Sequence, residues 1–116
     1  MGDKRDLPDR LFQFSVLTFR FSTSIPYSVE NNVIKRQLIR SVTSIAANYE
    51  EAQGAITRND FKYRVAICLK EARESFFWFR LAENVGIGNA NELAHLIAEA
   101  EQIKKILGSI AAKVKT

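Results

Sequence analysis

Apolar residues in the last quarter of the chain recur in steps that alternate strictly between three and four residues. The series consists of Leu93, Leu96, Ala100, Ile103, Leu107, Ile110 and Val114. Such a series is typical of an α-helix that packs against other helices along one stripe. Few residues interrupt helices elsewhere, because the 116-residue chain contains only two prolines and five glycines. We therefore expect a few long helices in a single domain spanning 1–116.

Three earlier segments also carry helical periodicity, so the sequence predicts four helices, at roughly 8–25, 29–53, 60–85 and 91–113. The connections between them are short, which places successive helices antiparallel. The predicted fold is all-α: an up-down-up-down antiparallel four-helix bundle.

The first segment leaves a second interpretation open. Phe12, Phe14 and Val16 alternate with polar residues, and so do Phe19 and Phe21, a pattern that also fits a β-strand. The length of the segment, about 17 residues, favours the helix.

Four consecutive aromatic residues lie in the third predicted helix: Phe76, Phe77, Trp78 and Phe79. Each residue turns a helix by about 100°, so these rings cover roughly 300° of its circumference. A single bundle core buries a stripe only a little wider than 100°. The four residues are therefore candidates for an oligomer interface. In the alternative interpretation, neighbouring long side chains simply half cover these rings.

A polar stripe follows one face of the second predicted helix. It consists of Gln37, Arg40, Ser44, Asn48 and Glu51. Most of these groups are short hydrogen-bonding side chains, which suit a contact between helices if each finds a partner. We expect Arg40 to pair with Glu71 or Glu74 of the third helix. The alternative is that the stripe is the solvent-facing side of the second helix.

The chain is mildly basic, with a formal net charge of +4 and an isoelectric point near 9.4. That excess permits attraction to nucleic acid without requiring it. The possible nucleic-acid contacts are Lys35, Arg36, Arg58, Lys62, Arg64, Lys104 and Lys105. Each could instead be an ordinary solvated surface charge, but repetition in a symmetric ring would multiply a modest charge per chain.

Catalytic and metal sites have little support in the sequence. The chain has one cysteine, Cys68, which lies among apolar residues, and one histidine, His95. Paired Glu-x-x-His motifs of di-iron bundles are absent, and so is a glycine-rich phosphate loop. We expect no enzyme activity, no cofactor and no small-molecule substrate. With no long apolar run and no secretory signal, we expect a cytoplasmic protein without a membrane partner.

The central residues resemble a known family. The segment from Gln37 to Ala52, QLIRSVTSIAANYEEA, is followed by Asp60-Phe61, by ICLKEARES at 67–75 and by Trp78. This pattern is similar to the bacterial "four helix bundle protein" family, also called the 23S ribosomal RNA intervening-sequence protein or S23 family. One departure is that many members carry Glu-Gly soon after the Ala-Asn pair, where this chain has Glu51-Ala52.

The resemblance implies a four-helix protomer that assembles into a ring-like homo-oligomer, typically a homopentamer. It also implies a partner in nucleic-acid biology, either RNA or DNA or a nucleic-acid enzyme such as a reverse transcriptase. The alternative function is a structural or protein–protein adaptor with no nucleic-acid role.

Overall fold

The computed structural model describes residues 6–115, which form four α-helices with no strand among them. The helices are α1 (Leu7–Ser22), α2 (Val29–Gln53), α3 (Arg58–Val85) and α4 (Ala90–Lys115). The strand alternative for the first segment is therefore wrong.

The first helix ends at Ser22, three residues before the expected boundary. The hydroxyl groups of Ser22, Thr23 and Ser24 each donate a hydrogen bond to the backbone carbonyl three residues earlier. The backbone N–H groups of Thr23, Ser24 and Ile25 make the same three-residue step. These bonds tighten the last turn and replace the α-helical pattern before Pro26 is reached.

Side-chain caps set the starts of the third and fourth helices. The Thr57 hydroxyl accepts a hydrogen bond from the backbone N–H of Asp60 at 3.0 Å, so α3 begins two residues earlier than expected. The side-chain oxygen of Asn89 likewise accepts from the backbone N–H of Glu92 at 2.9 Å, and α4 begins at the residue after the cap.

Contacts between helices show their relative direction. As the residue number rises along one helix, that of its contact on the neighbouring helix falls, so the neighbours are antiparallel, as the up-down-up-down order requires. The contacts are Arg10–Glu99 and Ser24–Asn89 at the α1–α4 boundary, Arg40–Glu71 and Asn48–Arg64 between α2 and α3, and Arg58–Val114 and Phe76–Lys104 between α3 and α4.

An apolar core fills the space between the helices. Its fully buried large side chains include Leu7, Leu11, Phe14, Phe21, Leu38, Val42, Ile45, Val65, Phe79, Leu96, Ile103 and Leu107. Six members of the three–four series of α4, from Leu93 to Ile110, are buried, which confirms the stripe predicted for that helix. No helix within residues 6–115 has the length and apolar character needed to cross a lipid bilayer.

Candidate functional site

Arg40 connects α2 to α3 through two carboxylates. Its Nη1 lies 3.1 Å from Oε1 of Glu71, and its Nη2 donates a hydrogen bond to Oε2 of Glu74. Its Nε donates to the side-chain oxygen of Gln37 at 2.9 Å. The structure therefore contains both of the ion pairs that the sequence offered for Arg40.

Glu74 is held in its charged form by two donors. The indole N–H of Trp78 donates to Oε2 of Glu74 at 3.1 Å, and this bond, with the Arg40 guanidinium, lowers the pKa of the Glu74 carboxyl. The same carboxyl is the main cause of the raised pKa of Arg40. A carboxylate held in its ionised form in this way is a structural partner rather than a proton donor.

Hydrogen bonds also connect the C-terminal part of the stripe to α3. The Asn48 amide donates to the backbone oxygen and the hydroxyl of Ser44 at 2.9 and 3.1 Å. The Asn48 oxygen in turn accepts from Nη1 of Arg64 at 2.9 Å. We call the set Gln37, Arg40, Ser44, Asn48, Arg64, Glu71 and Glu74 the polar seam.

The polar seam connects α2 to α3 through hydrogen bonds and ion pairs. Of the residues predicted for the stripe, Glu51 is exposed and lies outside the seam, and Arg40 keeps 45% of its side chain exposed. Within residues 6–115, every buried side-chain nitrogen and oxygen has a hydrogen-bond partner. The arrangement fits a fixed contact between two helices.

The four consecutive aromatic residues have four different surroundings. Phe79 is fully buried, with its ring centroid 5.8 Å from that of Phe14, so it is not available as an oligomer contact and that prediction is wrong for this residue. Phe76 is half-buried beneath Lys104, whose Nζ lies 4.1 Å from the ring centroid. Trp78 is half-buried and bonded to the polar seam. Only Phe77 is largely exposed, at 56%.

The basic residues singled out from the sequence are spread over three helices and several faces. Arg64 donates a hydrogen bond to Asn48 within the polar seam, and Lys104 makes a cation–π contact with the ring of Phe76. Arg58 donates to the backbone oxygen of Val114 at 3.4 Å, and Lys105 lies 3.9 Å from Glu101. Three others remain: Lys35 and Lys62 are half-buried, and Arg36 is exposed. The seven residues therefore do not form one patch.

A basic and aromatic strip that the sequence reasoning missed runs along the outside of α3. We call it the α3 strip; its members are Tyr63, Ala66, Lys70, Arg73, Phe77, Arg80 and Asn84. All are exposed, and they recur in the three–four steps that define one helix face. The strip carries three cationic side chains and no carboxylate. The three–four spacing that predicts the buried face of a helix could also have identified this exposed face of α3.

Phe77 lies in a shallow hollow on the α3 strip. The hollow has a volume of about 380 Å³ and is lined by Arg73, Phe77, Arg80 and Asn84 of the strip, with Phe76 and Leu81 at its side. The Phe77 ring meets Trp78 edge to face, with centroids 5.1 Å apart and planes at 77°. An exposed aromatic ring in a hollow that two arginines also line suits an anionic ligand that carries a ring of its own.

A larger apolar groove lies between α1 and α2. Its volume is about 590 Å³, and its walls include Phe12, Val16 and Phe19 of α1 with Ala46 and Ala47 of α2. Phe12 and Phe19 are 60% and 51% exposed. We call this surface the α1/α2 groove. Exposed apolar surface of this extent is typical of a site that contacts another molecule.

The one cysteine of the chain is buried and its one histidine is exposed. Cys68 is fully buried, and burial raises the pKa of its thiol to about 12, so it stays protonated and unreactive. His95 is exposed in the second turn of α4. Within residues 6–115, no three histidine, cysteine, aspartate or glutamate side chains are grouped so that they could hold a metal ion.

Comparison with known proteins identifies relatives of this chain. Residues 6–109 match the family model of the 23S rRNA-intervening sequence protein. A crystal structure of a protein of unknown function from the S23 ribosomal protein family of Bacteroides thetaiotaomicron superimposes with a TM-score of 0.80 and 30% sequence identity, covering 90% of this chain and 96% of that one. No match was found among curated proteins. The family model spans most of the chain and the solved relative shares its four-helix fold, so this protein belongs to the 23S rRNA-intervening sequence protein family.

Proposed function

We propose that this protein is a non-enzymatic, homo-oligomeric helical bundle whose basic surface binds nucleic acid. The observation that carries the proposal is the α3 strip, an exposed row with Lys70, Arg73 and Arg80 and no carboxylate. Glu71 and Glu74, the acidic residues of this part of α3, both bind Arg40 in the polar seam and are not members of the strip. A phosphate backbone that approaches Lys70, Arg73 and Arg80 would meet three cationic side chains, because the exposed carboxylates of α3, Asp60 and Glu83, are not members of the strip.

The α1/α2 groove supports the oligomer. Phe12 and Phe19 form a more extended exposed apolar surface than Phe77 of the aromatic run, and the alanines at 46 and 47 allow a close approach. Burying this surface against another copy would remove apolar area from water. This assigns the subunit contact to α1 and α2 and leaves the α3 strip accessible. Five copies in a ring is the number that the family resemblance implies.

Oligomerisation would strengthen nucleic-acid binding without any new contact in the protomer. A ring repeats the α3 strip once per copy, so the modest charge of each chain sums to a strong field. Contacts to several phosphates of one strand then act together. A cytoplasmic nucleic-acid enzyme such as a reverse transcriptase, with its RNA, is the kind of partner that such a ring would serve.

The surroundings of the chain's acidic, thiol and imidazole groups support a non-enzymatic role. Glu74 keeps its charge, the Cys68 thiol keeps its proton, and His95 is exposed and, within residues 6–115, belongs to no group of potential metal ligands. General acid–base and nucleophilic catalysis both need reactive groups within hydrogen-bond reach of each other.

A protein–protein adaptor is the second candidate, and the α1/α2 groove is the observation that favours it. In that case the groove would take a partner protein and the positive charge would serve only solubility.

Binding to a fluorescently labelled RNA of mixed sequence, measured by anisotropy as salt is raised, separates the two functions. We expect binding at low ionic strength that weakens steadily with added salt, because each phosphate contact releases counterions. Undetectable binding at low salt, or binding that does not respond to salt, would remove the nucleic-acid function and leave the adaptor.

A further inference from the structure

We propose that the α3 strip binds single-stranded nucleic acid, with an unpaired base stacked on the ring of Phe77 and phosphates held by Arg73 and Arg80. This inference rests on the proposed function and specifies its ligand. It concerns one hollow and three side chains, so it can fail while general nucleic-acid binding survives.

Phe77 is placed as a platform rather than as part of the core. Its neighbours in the aromatic run are engaged within the protomer, by Phe14, Lys104 and the polar seam. The rings of Phe77 and Trp78 meet in a T-shaped contact, and Trp78 is itself fixed by its bond to Glu74. Phe77 therefore contacts a fixed neighbour while more than half of the residue's surface faces solvent.

The charges around Phe77 match a nucleotide. Arg73 lies four residues before it and Arg80 three residues after it, so both side chains extend from the same helix face. The guanidinium carbon of Arg80 lies 5.9 Å from the ring centroid of the adjacent Phe76. All three side chains line the same hollow of about 380 Å³. A base on the ring would leave its phosphates within reach of cationic groups on either side.

The geometry favours an unpaired base over a duplex. In a duplex both faces of every internal base are covered by stacking, so an aromatic ring on a convex helix cannot reach them. Exposed aromatics interleaved with cations are characteristic of single-strand binding, because every base offers a π-face.

Tyr63 provides a second ring on the same strip. It is 63% exposed, and the guanidinium carbon of Arg64 lies 5.7 Å from its ring centroid. Fourteen residues separate it from Phe77, which corresponds to about 21 Å along the helix. A strand that follows the strip would meet an aromatic ring at each end, with Lys70 and Arg73 between them.

The test uses the single tryptophan as a reporter, since Trp78 touches Phe77. The full chain is titrated with oligouridine of about 12 nucleotides, with a duplex of the same length, and with polyglutamate, which carries charge but no bases. Quenching of Trp78 fluorescence and anisotropy of the labelled probes are both recorded. We expect quenching by oligouridine, affinity for it at least tenfold above that for the duplex, and weak binding of polyglutamate.

Variants at position 77 separate stacking from simple apolar contact. Phe77→Leu keeps the apolar character but loses the ring face, and should weaken oligouridine binding about tenfold without changing duplex binding. Phe77→Tyr keeps the ring and should retain affinity. Tyr27→Leu is the matched control, because Tyr27 is an exposed aromatic outside the α3 strip. Circular dichroism verifies that each variant is folded.

The outcomes distinguish this inference from the proposed function. Equal, salt-sensitive binding of single strand and duplex, or unchanged affinity in Phe77→Leu, would overturn base stacking and leave general nucleic-acid binding intact. Polyglutamate binding as tight as oligouridine would overturn it too, and would mean that the strip recognises an acidic polypeptide equally well. No binding of any nucleic acid would overturn both proposals.

Discussion

Arg40 and the buried side of Glu71 show how a polar contact can be fixed within a helical bundle. The Glu71 side chain is only 11% exposed, and its carboxylate is balanced by a guanidinium that also serves Glu74. Helical spacing places residues 37, 40 and 44 on one face, which allowed this pairing to be predicted, but the same spacing also fitted a solvent-facing stripe. The different surroundings of Phe77 and Phe79 could not be predicted in this way, since they depend on how the helix is rotated against its neighbours.

Removing Arg40 should leave the buried Glu71 carboxylate without its partner. We expect Arg40→Leu to lower the free energy of unfolding by about 2 kcal/mol, because the Glu71 carboxylate then pays its desolvation cost uncompensated. Urea unfolding monitored by circular dichroism measures the change. Arg36→Leu, an exposed arginine on the same helix, is the control and should change stability by less than about 0.5 kcal/mol. Equal effects of the two substitutions would show that the polar seam contributes no stability.

The lowered pKa of Glu74 predicts a stability that depends on pH. Its ionised form is favoured by folding, so its contribution is present above the carboxyl pKa of the unfolded chain, about 4.3, and is lost as pH falls through the lower pKa of the folded state. Glu74→Gln should therefore be less stable than the wild type at neutral pH by up to about 1 kcal/mol, with the difference shrinking on acidification. Urea midpoints measured across this range test it, with Glu83→Gln as control; a difference independent of pH would contradict it.

At the scale of elements, hydroxyl and amide side chains decide where the helices begin and end. Periodicity predicted the bounds of α2. In the structure, however, α3 begins two residues before its predicted start, and α1 ends three residues before its predicted end. Thr57 caps α3 through its own hydroxyl, and three hydroxyl groups in succession tighten the end of α1. Such local bonds compete with the helical pattern and do not alter the apolar spacing, which is why the spacing could not reveal them.

The turn between α3 and α4 holds two glycines that differ in one respect. Gly86 and Gly88 both have positive φ, at 75° and 79°. A Cβ on Gly86 would meet open space, whereas one on Gly88 would lie 2.6 Å from the ring of fully buried Phe21. Gly88 is therefore the point at which this turn packs against the end of α1.

Alanine substitutions should separate backbone strain from packing in this turn. Gly86→Ala should cost about 1 kcal/mol, from the left-handed backbone alone. Gly88→Ala should cost about 3 kcal/mol, because the buried ring must also move. Thermal and urea unfolding of the two variants provides the comparison. If the two substitutions were equally costly, the close approach to Phe21 would not contribute.

At the scale of the whole molecule, we propose that the α1/α2 groove forms the subunit contact and that the α3 strip binds nucleic acid. The four-helix architecture was predictable from spacing, because a helix with one apolar stripe must bury it against other helices. The α1/α2 groove was not, since its width depends on the distance between two helices rather than on the pattern within either. The sequence indicated self-association through the aromatic run of α3, and the structure leaves only Phe77 exposed there, beside a larger apolar surface on α1.

A glutamate introduced in the α1/α2 groove should disrupt the proposed oligomer, whereas one introduced in the α3 strip should not. Phe12→Glu or Phe19→Glu should convert the oligomer to monomers, because an unpaired carboxylate would be buried at the subunit contact. Phe77→Glu should leave the oligomer intact. Light scattering at micromolar concentration measures the mass of each variant. If only Phe77→Glu caused dissociation, the subunit contact would lie on α3 instead. A monomeric wild type would exclude assembly altogether.

The most direct test of the account is the salt dependence of RNA binding in the wild type and in Arg73→Ala/Arg80→Ala. Each phosphate contact to a single strand contributes about 0.7 to the slope of log affinity against log salt concentration. We predict that the double variant binds more weakly at every salt concentration, with a slope shallower by about 1.4. Lys105→Ala, which removes a charge elsewhere, should keep the wild-type slope. An unchanged slope in the double variant would contradict the claim that the α3 strip is the nucleic-acid surface.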